Sequence, residues 1–287
     1  MDKYRVSALI LYLIITSTVT YAILLKLPST KIRSQVIRIP GAHELGINLA
    51  FFIIAIILIT TIFSILVRKG GLRILSAIFL LTLLYLSFYS LLFICSISGA
   101  EVWKLPFTIS IAVLWTLLIA FRRHIVSYYI HEVLLLITGI LTGTMMAVMF
   151  PEILSILVLL LLSVYDIISV RMGFIKMLMD KVAPEPIEEN EERPREFSLA
   201  NPVLLATAYI GLASLGIGDI ICYSMMMTLY GIAFNPMCSF IAFITINSGI
   251  VLLYMLMKKF KLRYAPGLPI PTILSLTVYG ILKLYYP

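Results

Sequence analysis

Charge is scarce in this chain: 13% of its 287 residues are Asp, Glu, Lys or Arg, against 61% hydrophobic residues and a mean hydropathy of +1.07. That excludes a soluble domain of this length, which needs far more polar surface to cover its core. Cysteine is scarcer. Cys95, Cys222 and Cys238 fall in or at the edge of apolar runs without Cys-x-x-Cys spacing, which excludes a disulfide framework and a cysteine metal knot. Histidine is as rare, and His131-Glu132-Val133-Leu134-Leu135 lacks the second histidine of the His-Glu-x-x-His zinc pattern. His131 and Glu132 are expected to mark a membrane interface. Aspartate occurs only four times, yet Asp166 and Asp219 both lie inside apolar runs. A charged side chain in the bilayer costs roughly 2.5 to 3.5 kcal/mol on insertion scales, so two carboxyls retained there point to function.

What the chain has in quantity is long apolar stretches. Runs of about 17 to 25 apolar residues mark membrane spans, and nine are read here: Val6–Leu25, Ile47–Val67, Ile74–Ile97, Phe107–Phe121, Val133–Phe150, Ile153–Val170, Leu212–Tyr230, Phe240–Met257 and Ile270–Tyr286. The expected fold is an all-α polytopic membrane protein of nine transmembrane helices. The first run is long and has no small-residue cleavage site, unlike a removable signal peptide. The formal net charge of +8 follows the loops rather than a nucleic-acid face. With the N-terminus inside, sixteen of the 22 Lys and Arg fall on the cytoplasmic side, among them Arg68, Lys69, Arg122, Arg123, Arg171, Lys258 and Lys259, whereas Lys26, Lys31, Arg33, Arg38, Lys104 and Lys283 fall outside. The excess orients the N-terminus in the cytoplasm and the C-terminus outside.

One segment breaks the pattern. Asp180 to Glu196 holds six of the ten glutamates and three prolines, the composition of a disordered, solvated cytoplasmic loop. It divides the chain into a six-helix part, 1–172, carrying Asp166; an acidic loop, 173–200; and a three-helix part, 201–287, carrying Asp219. The external loop Lys26 to Gly46 contains an alternating run, Ile32 to Ile39, that has the pattern of a short strand. Gly139 and Gly143 form a Gly-x-x-x-Gly pair that allows close helix approach, read as packing within the chain rather than dimerisation. No internal repeat is evident, which disfavours an inverted-repeat transporter.

Depth fixes where the seventh helix begins. Asp166 precedes Arg171 by five residues, about 8 Å from the cytoplasmic end of its helix at 1.5 Å per residue. For Asp219 to meet it, the seventh helix must start near Leu212 to Ser214; a start at Asn201 would bury Asp219 about 27 Å deep. The apolar stretch Pro202 to Gly211 is therefore expected to be extended or re-entrant beside the site.

Two facing carboxyls do not both ionise readily, so the pair holds one proton and presents an acid beside a base. The ionised member can take a proton from water as it attacks a peptide carbonyl while the other donates to the carbonyl oxygen, without metal or cofactor. Gly216 and Gly218, in Gly216-Ile217-Gly218-Asp219, let the backbone bend and let another chain approach. Tyr165 either hydrogen-bonds at the site or packs on a neighbouring helix. Ahead of the last span, Pro266, Pro269 and Pro271 prevent regular helix, and irregular backbone at membrane depth is tolerated only where protein or a water-filled cavity covers it. Pro at a helix start is the plainer reading.

Together these elements resemble the presenilin and signal-peptide-peptidase family of intramembrane aspartyl proteases. Tyr165-Asp166 is similar to that family's Tyr-Asp in the sixth span, Gly216 to Asp219 to its Gly-x-Gly-Asp in the seventh, and Pro266-Gly267-Leu268 stands where it has Pro-Ala-Leu. Leu268-Pro269-Ile270 and the N-in orientation look more like the presenilin branch, and the short loops resemble a prokaryotic, archaeal-like homologue in a cell membrane. The resemblance implies a presenilin-like fold, catalysis by Asp166 and Asp219, and a shaping role for Pro266, Gly267, Leu268 and Pro269 around the substrate strand. It also implies single-span or signal-peptide-like substrates, which must unwind near the carboxyls and can be held by strand addition. No cofactor, metal, nucleic acid or obligate partner is expected, and a homo-oligomer is compatible with the sequence.

The rival class is a transporter or channel using intramembrane aspartates as proton or cation sites. It does not account for Gly-x-Gly before Asp219 or for the proline segment. A rhomboid-type serine protease needs an intramembrane histidine, and His43, His124 and His131 lie near or outside the span ends. Prepilin-type aspartyl peptidases share Gly-x-Gly-Asp but fit the span count and the proline segment poorly.

Overall fold

The computed structural model describes residues 14–25, 41–69, 71–97, 105–120, 128–172, 207–210, 213–260 and 265–285. They form nine helices and one hairpin: α1 (Ile14–Leu25), α2 (Ala42–Arg68), α3 (Leu72–Ile97), α4 (Leu105–Ala120), α5 (Tyr128–Met149), α6 (Glu152–Arg171), β1 (Thr207–Ile210), β2 (Ala213–Gly216), α7 (Ile217–Ala233), α8 (Cys238–Phe260) and α9 (Pro269–Tyr285). Windows within α2, α3, α6 and α8 are long and apolar enough to cross a membrane, so the chain is a membrane-embedded protein. Lipid-facing character is plainest on α2, where Phe51, Ile54, Ile57 and Leu58 are exposed.

The architecture is helical, as expected, with one small addition: Thr207–Ile210 pairs antiparallel with Ala213–Gly216, Thr207 opposite Gly216 and Ile210 opposite Ala213. Two helix boundaries are corrected. The seventh helix accordingly begins at Ile217 rather than at Leu212 to Ser214: the backbone up to Gly216 (φ −68°, ψ 146°) is committed to the ladder and stays extended. The second helix starts at Ala42, so residues 42–46, read as loop, are helical. The strand-like run 32–39 and the acidic loop 173–200 lie outside the described residues.

The shortest connections dictate the neighbours. Only Phe150 and Pro151 separate α5 from α6, and Pro151, with ψ 147°, ends one helix and opens the next. Asn235-Pro236 does the same between α7 and α8: the Asn235 side-chain oxygen accepts from Met237 N–H at 3.0 Å, a local turn.

The core is α7. From Cys222 to Ala233 every residue is buried, as expected of a helix apolar all round and surrounded by others. Its closest neighbour is α5, and the glycine pair explains why. A Cβ on Gly139 would stand 2.7 Å from Ile220 Cγ2, and one on Gly143 would stand 2.0 Å from Ser224 Oγ. The pair therefore serves packing within the chain, letting the two backbones approach until Ser224 Oγ donates to Gly139 O at 3.3 Å and Thr228 Oγ1 to Thr144 Oγ1 at 3.2 Å. On the far side α9 lies between α8 and α6; Gly249 of α8 lies so close to Pro271 of α9 that a Cβ would be 2.5 Å from the proline Cα.

Candidate active site

The Asp166 and Asp219 carboxyls sit at the same end of the helix bundle. Asp166 lies five residues before the end of α6 at Arg171. Asp219 is the third residue of α7, so it stands in the first turn, where unpaired backbone N–H groups carry partial positive charge. Its Oδ2 accepts from Gly216 N–H at 3.2 Å, reaching back across the first turn as a capping acid does.

The proline segment joins the two. Leu268 precedes the first residue of α9, and its carbonyl accepts the first helical bond, from Thr272 N–H at 3.0 Å. Its own N–H is one of the donors that a helix start leaves without an intrahelical partner, and it goes to Asp166 Oδ2 at 3.0 Å. The preceding residue, Gly267, faces the other carboxyl: a Cβ built there would be 3.2 Å from Asp219 Oδ2 and 3.5 Å from Oδ1. Consecutive residues, with Cα atoms about 3.8 Å apart, thus stand beside the two carboxyls, Leu268 bonded to Asp166 and Gly267 leaving space beside Asp219. Two helix N-termini, those of α7 and α9, converge on the pair, an arrangement that favours one negative charge between them.

The remaining residues singled out by sequence divide. Pro269 is buried at the first position of α9, where a missing N–H costs nothing. Pro266 is half-buried in the same loop. Neither glycine of Gly216-Ile217-Gly218-Asp219 has the left-handed backbone that would demand glycine; Gly216 leaves room beside the Asp219 carboxyl, with a Cβ position 3.5 Å from Oδ2, and Gly218 is exposed with nothing within 4 Å of its Cβ position. Their contribution is space. Tyr165 turns to a neighbouring helix: its hydroxyl accepts from Thr60 Oγ1 of α2 at 3.0 Å.

One residue of the site was not found from sequence. Tyr223, buried in α7, donates its hydroxyl proton to Gly267 O at 3.0 Å and ties the proline segment to the helix that carries Asp219. Its signal was its position, one turn beyond Asp219 and hence on the same face. His131 lies in the first turn of α5 and its side chain is covered by protein, with Nδ1 3.0 Å from Ile119 O, linking the start of α5 to the end of α4. The Glu132 side chain and His124 lie outside the described residues. Among the described residues no three His, Cys, Asp or Glu side chains group as metal ligands, and Cys95, Cys222 and Cys238 form no disulfide.

No protein-family model matches the chain, and no curated protein matches it in sequence.

Proposed function

We propose that the chain is an intramembrane aspartyl protease with a presenilin-like arrangement of nine spans, hydrolysing peptide bonds within or near the transmembrane segments of single-span substrates. The observation that carries this reading is that successive residues stand against the two carboxyls: Leu268 N–H donates to Asp166, and Gly267 leaves the space beside the Asp219 carboxyl that a side chain would crowd. A transport site needs no such backbone clamp. A pair that must hold one shared proton in fixed geometry is served by it, because reacting groups displaced by about 1 Å can lose on the order of a hundredfold in rate.

In this mechanism the ionised carboxylate accepts a proton from water as the water oxygen attacks the scissile carbonyl carbon. The protonated partner donates to the carbonyl oxygen. Collapse of the tetrahedral intermediate breaks the C–N bond, and the amine nitrogen leaves with a proton. A substrate helix hides its amides in its own hydrogen bonds, so it must be extended before attack. The hairpin gives it a template: β2 pairs with β1 along one edge, runs directly into the α7 turn that carries Asp219, and has no backbone partner on its other edge among the described residues. An unwound substrate segment added along that edge would be delivered to the carboxyls.

The orientation, with N-terminus inside and Asp166 and Asp219 towards the cytoplasmic side, is part of the proposal and rests on the distribution of Lys and Arg. The test is incubation of the purified protein with a single-span substrate, with and without a transition-state analogue of aspartyl proteases. Cleavage abolished by the analogue is the expected result. Absence of cleavage from a folded, reconstituted protein, accompanied by proton or cation flux that requires Asp166 and Asp219, would assign the carboxyls to transport instead.

A further inference from the structure

The peptide group between Gly267 and Leu268 is gripped at both ends. Its carbonyl oxygen accepts the Tyr223 hydroxyl proton at 3.0 Å, and its N–H donates to Asp166 Oδ2 at 3.0 Å. A peptide unit is planar and, away from proline, trans, so its oxygen and its hydrogen point in opposite directions. Tyr223 of α7 and Asp166 of α6 therefore hold opposite edges of one rigid plane. Turning the plane at either edge turns the other.

The sequence leaves this plane in need of an outside partner. The carbonyl series of α9 begins with Leu268 O, which accepts from Thr272 N–H at 3.0 Å. Gly267 O stands one residue earlier, and the residue that would serve it in the helical ladder is Pro271, which has no N–H to give. Gly267 also lacks the Cβ that would restrict rotation on its side of the peptide. The buried Tyr223 hydroxyl supplies the missing donor. A proton given to the carbonyl polarises the unit and strengthens its N–H as a donor, as in any chain of hydrogen bonds in a low-dielectric interior. The same helix offers a comparison: Tyr230, two turns further along α7 and on the same face, gives its hydroxyl proton to Ser275 O of α9. That bond ties the same two elements together without reaching the peptide that serves Asp166.

We propose that Tyr223 is a positioning residue for the reaction: acting through the Gly267–Leu268 peptide, it holds the N–H that orients the Asp166 carboxyl for proton transfer. The terminal torsion of an aspartate is soft, so without a fixed donor the carboxyl plane turns easily. With the donor held, Oδ2 is committed to Leu268 and the directions of the remaining lone pairs are set. Loss of the Tyr223 hydroxyl leaves the Gly267 carbonyl without this donor and lets the peptide turn, which moves the N–H away from Asp166. The role rests on the protease reading for its consequence in turnover, whereas the link from Tyr223 to Asp166 stands without it.

Tyr223→Phe keeps the ring and removes only the hydroxyl, and Tyr230→Phe is the matched control. With the full chain in detergent micelles, Tyr223→Phe should cleave a single-span substrate with kcat about tenfold or more below that of the unaltered protein and KM within about twofold, because the lost bond acts on a reacting group rather than on substrate binding. Tyr230→Phe, which loses a bond of the same kind, should keep both constants within about twofold. Equal loss of kcat in the two variants, or an unchanged kcat in Tyr223→Phe, overturns the proposal. The second measurement needs no cleavage. Glycine labelled with carbon-13 at the carbonyl and leucine labelled with nitrogen-15 leave three amide signals in a carbonyl-selected NMR spectrum, from Gly71-Leu72, Gly211-Leu212 and Gly267-Leu268, and the one missing in Gly267→Ala is that of Leu268. It should move in Tyr223→Phe and in Asp166→Ala and stay in place in Tyr230→Phe. A Leu268 signal indifferent to Tyr223→Phe or to Asp166→Ala, or moved equally by the two tyrosine variants, overturns the link. The expected shifts in a protein that cleaves nothing would refute the protease and keep the link, whereas cleavage with a Leu268 signal indifferent to Tyr223→Phe would refute the link alone.

Discussion

Gly267→Ala tests the geometry of the site with the smallest available change, one methyl group. Gly267 does not have a left-handed backbone, so alanine is conformationally admissible there. The new Cβ would stand 3.2 Å from Asp219 Oδ2 and 3.5 Å from Cγ, which is tight contact and obliges the carboxyl or the loop to yield by a few tenths of an ångström. If a displacement of about 1 Å costs on the order of a hundredfold, a few tenths should cost roughly two- to fivefold in turnover. Stability should hold or rise, because replacing glycine at a compatible position restricts the unfolded chain by about 0.4 to 1 kcal/mol. Gly267→Val places further methyl groups against the same carboxyl and should lose about a hundredfold or more. The assay is the initial rate of cleavage of a single-span substrate in detergent micelles, with a thermal unfolding scan of each variant. A Gly267→Val protein at the wild-type rate would show that Gly267 does not stand against a catalytic carboxyl, and a folded Gly267→Ala protein with no detectable cleavage would refute the estimate that a few tenths of an ångström suffice to relieve the contact.

The other predictions concern the carboxyls and the helix contact beneath them. Asp166→Ala and Asp219→Ala should each abolish cleavage while the protein still inserts and elutes as a folded species, since removing a buried carboxyl also removes its desolvation cost; near-normal cleavage by either variant refutes the pair. The rate should be bell-shaped in pH, because the active pair holds one proton: below the lower apparent constant both carboxyls are protonated and no base remains, and above the upper one both are ionised and no acid remains. A rate that rises or falls monotonically across both limbs, or that a zinc chelator removes and zinc restores, contradicts the mechanism. Gly143→Leu should destabilise strongly, by about 1 to 3 kcal/mol or more from overpacking, because even a Cβ there would fall 2.0 Å from Ser224 Oγ and 2.2 Å from Ile221 O; unchanged thermal stability would mean that α5 and α7 are not in contact at this point.

Much of this architecture was legible because the membrane narrows the options. Apolar run length sets the helices, and an aspartate within such a run is conspicuous whatever its neighbours. The depth of Asp166 followed from its distance to Arg171, and the need for Asp219 to reach the same level predicted that the chain before α7 would not be helical. Thr207–Ile210 is indeed extended. The boundary was missed by a few residues because Ala213, Ser214 and Leu215 are as compatible with helix as with strand, and only pairing with β1 decides between them. The early start of α2 was missed for a related reason: Ala42 to Gly46 is too polar to count as span, yet a helix can extend beyond the apolar slab.

The contacts that assemble the site were hidden for a different reason. Tyr165 was ambiguous because a tyrosine beside an aspartate reads the same whether its ring turns inward or, as here, towards Thr60 on α2. Tyr223 carries little signal in a single sequence, because a tyrosine within a membrane helix usually packs as bulk. Its meaning depends on which helix lies opposite and in what register. Two hydrogen-bonded contacts mark the register of α9 on α6, Leu268 with Asp166 and Lys283 with Glu152, each joining residues more than a hundred positions apart. The first of them also explains why the proline segment has to precede a helix. Pro269 can open α9 but has no N–H to give, so Leu268 supplies the donor that reaches Asp166, while Gly267, lacking a side chain, leaves the Asp219 carboxyl its place. A donor, a gap and a helix start in three successive residues are what two carboxyls on separate helices require if the same loop is to hold both.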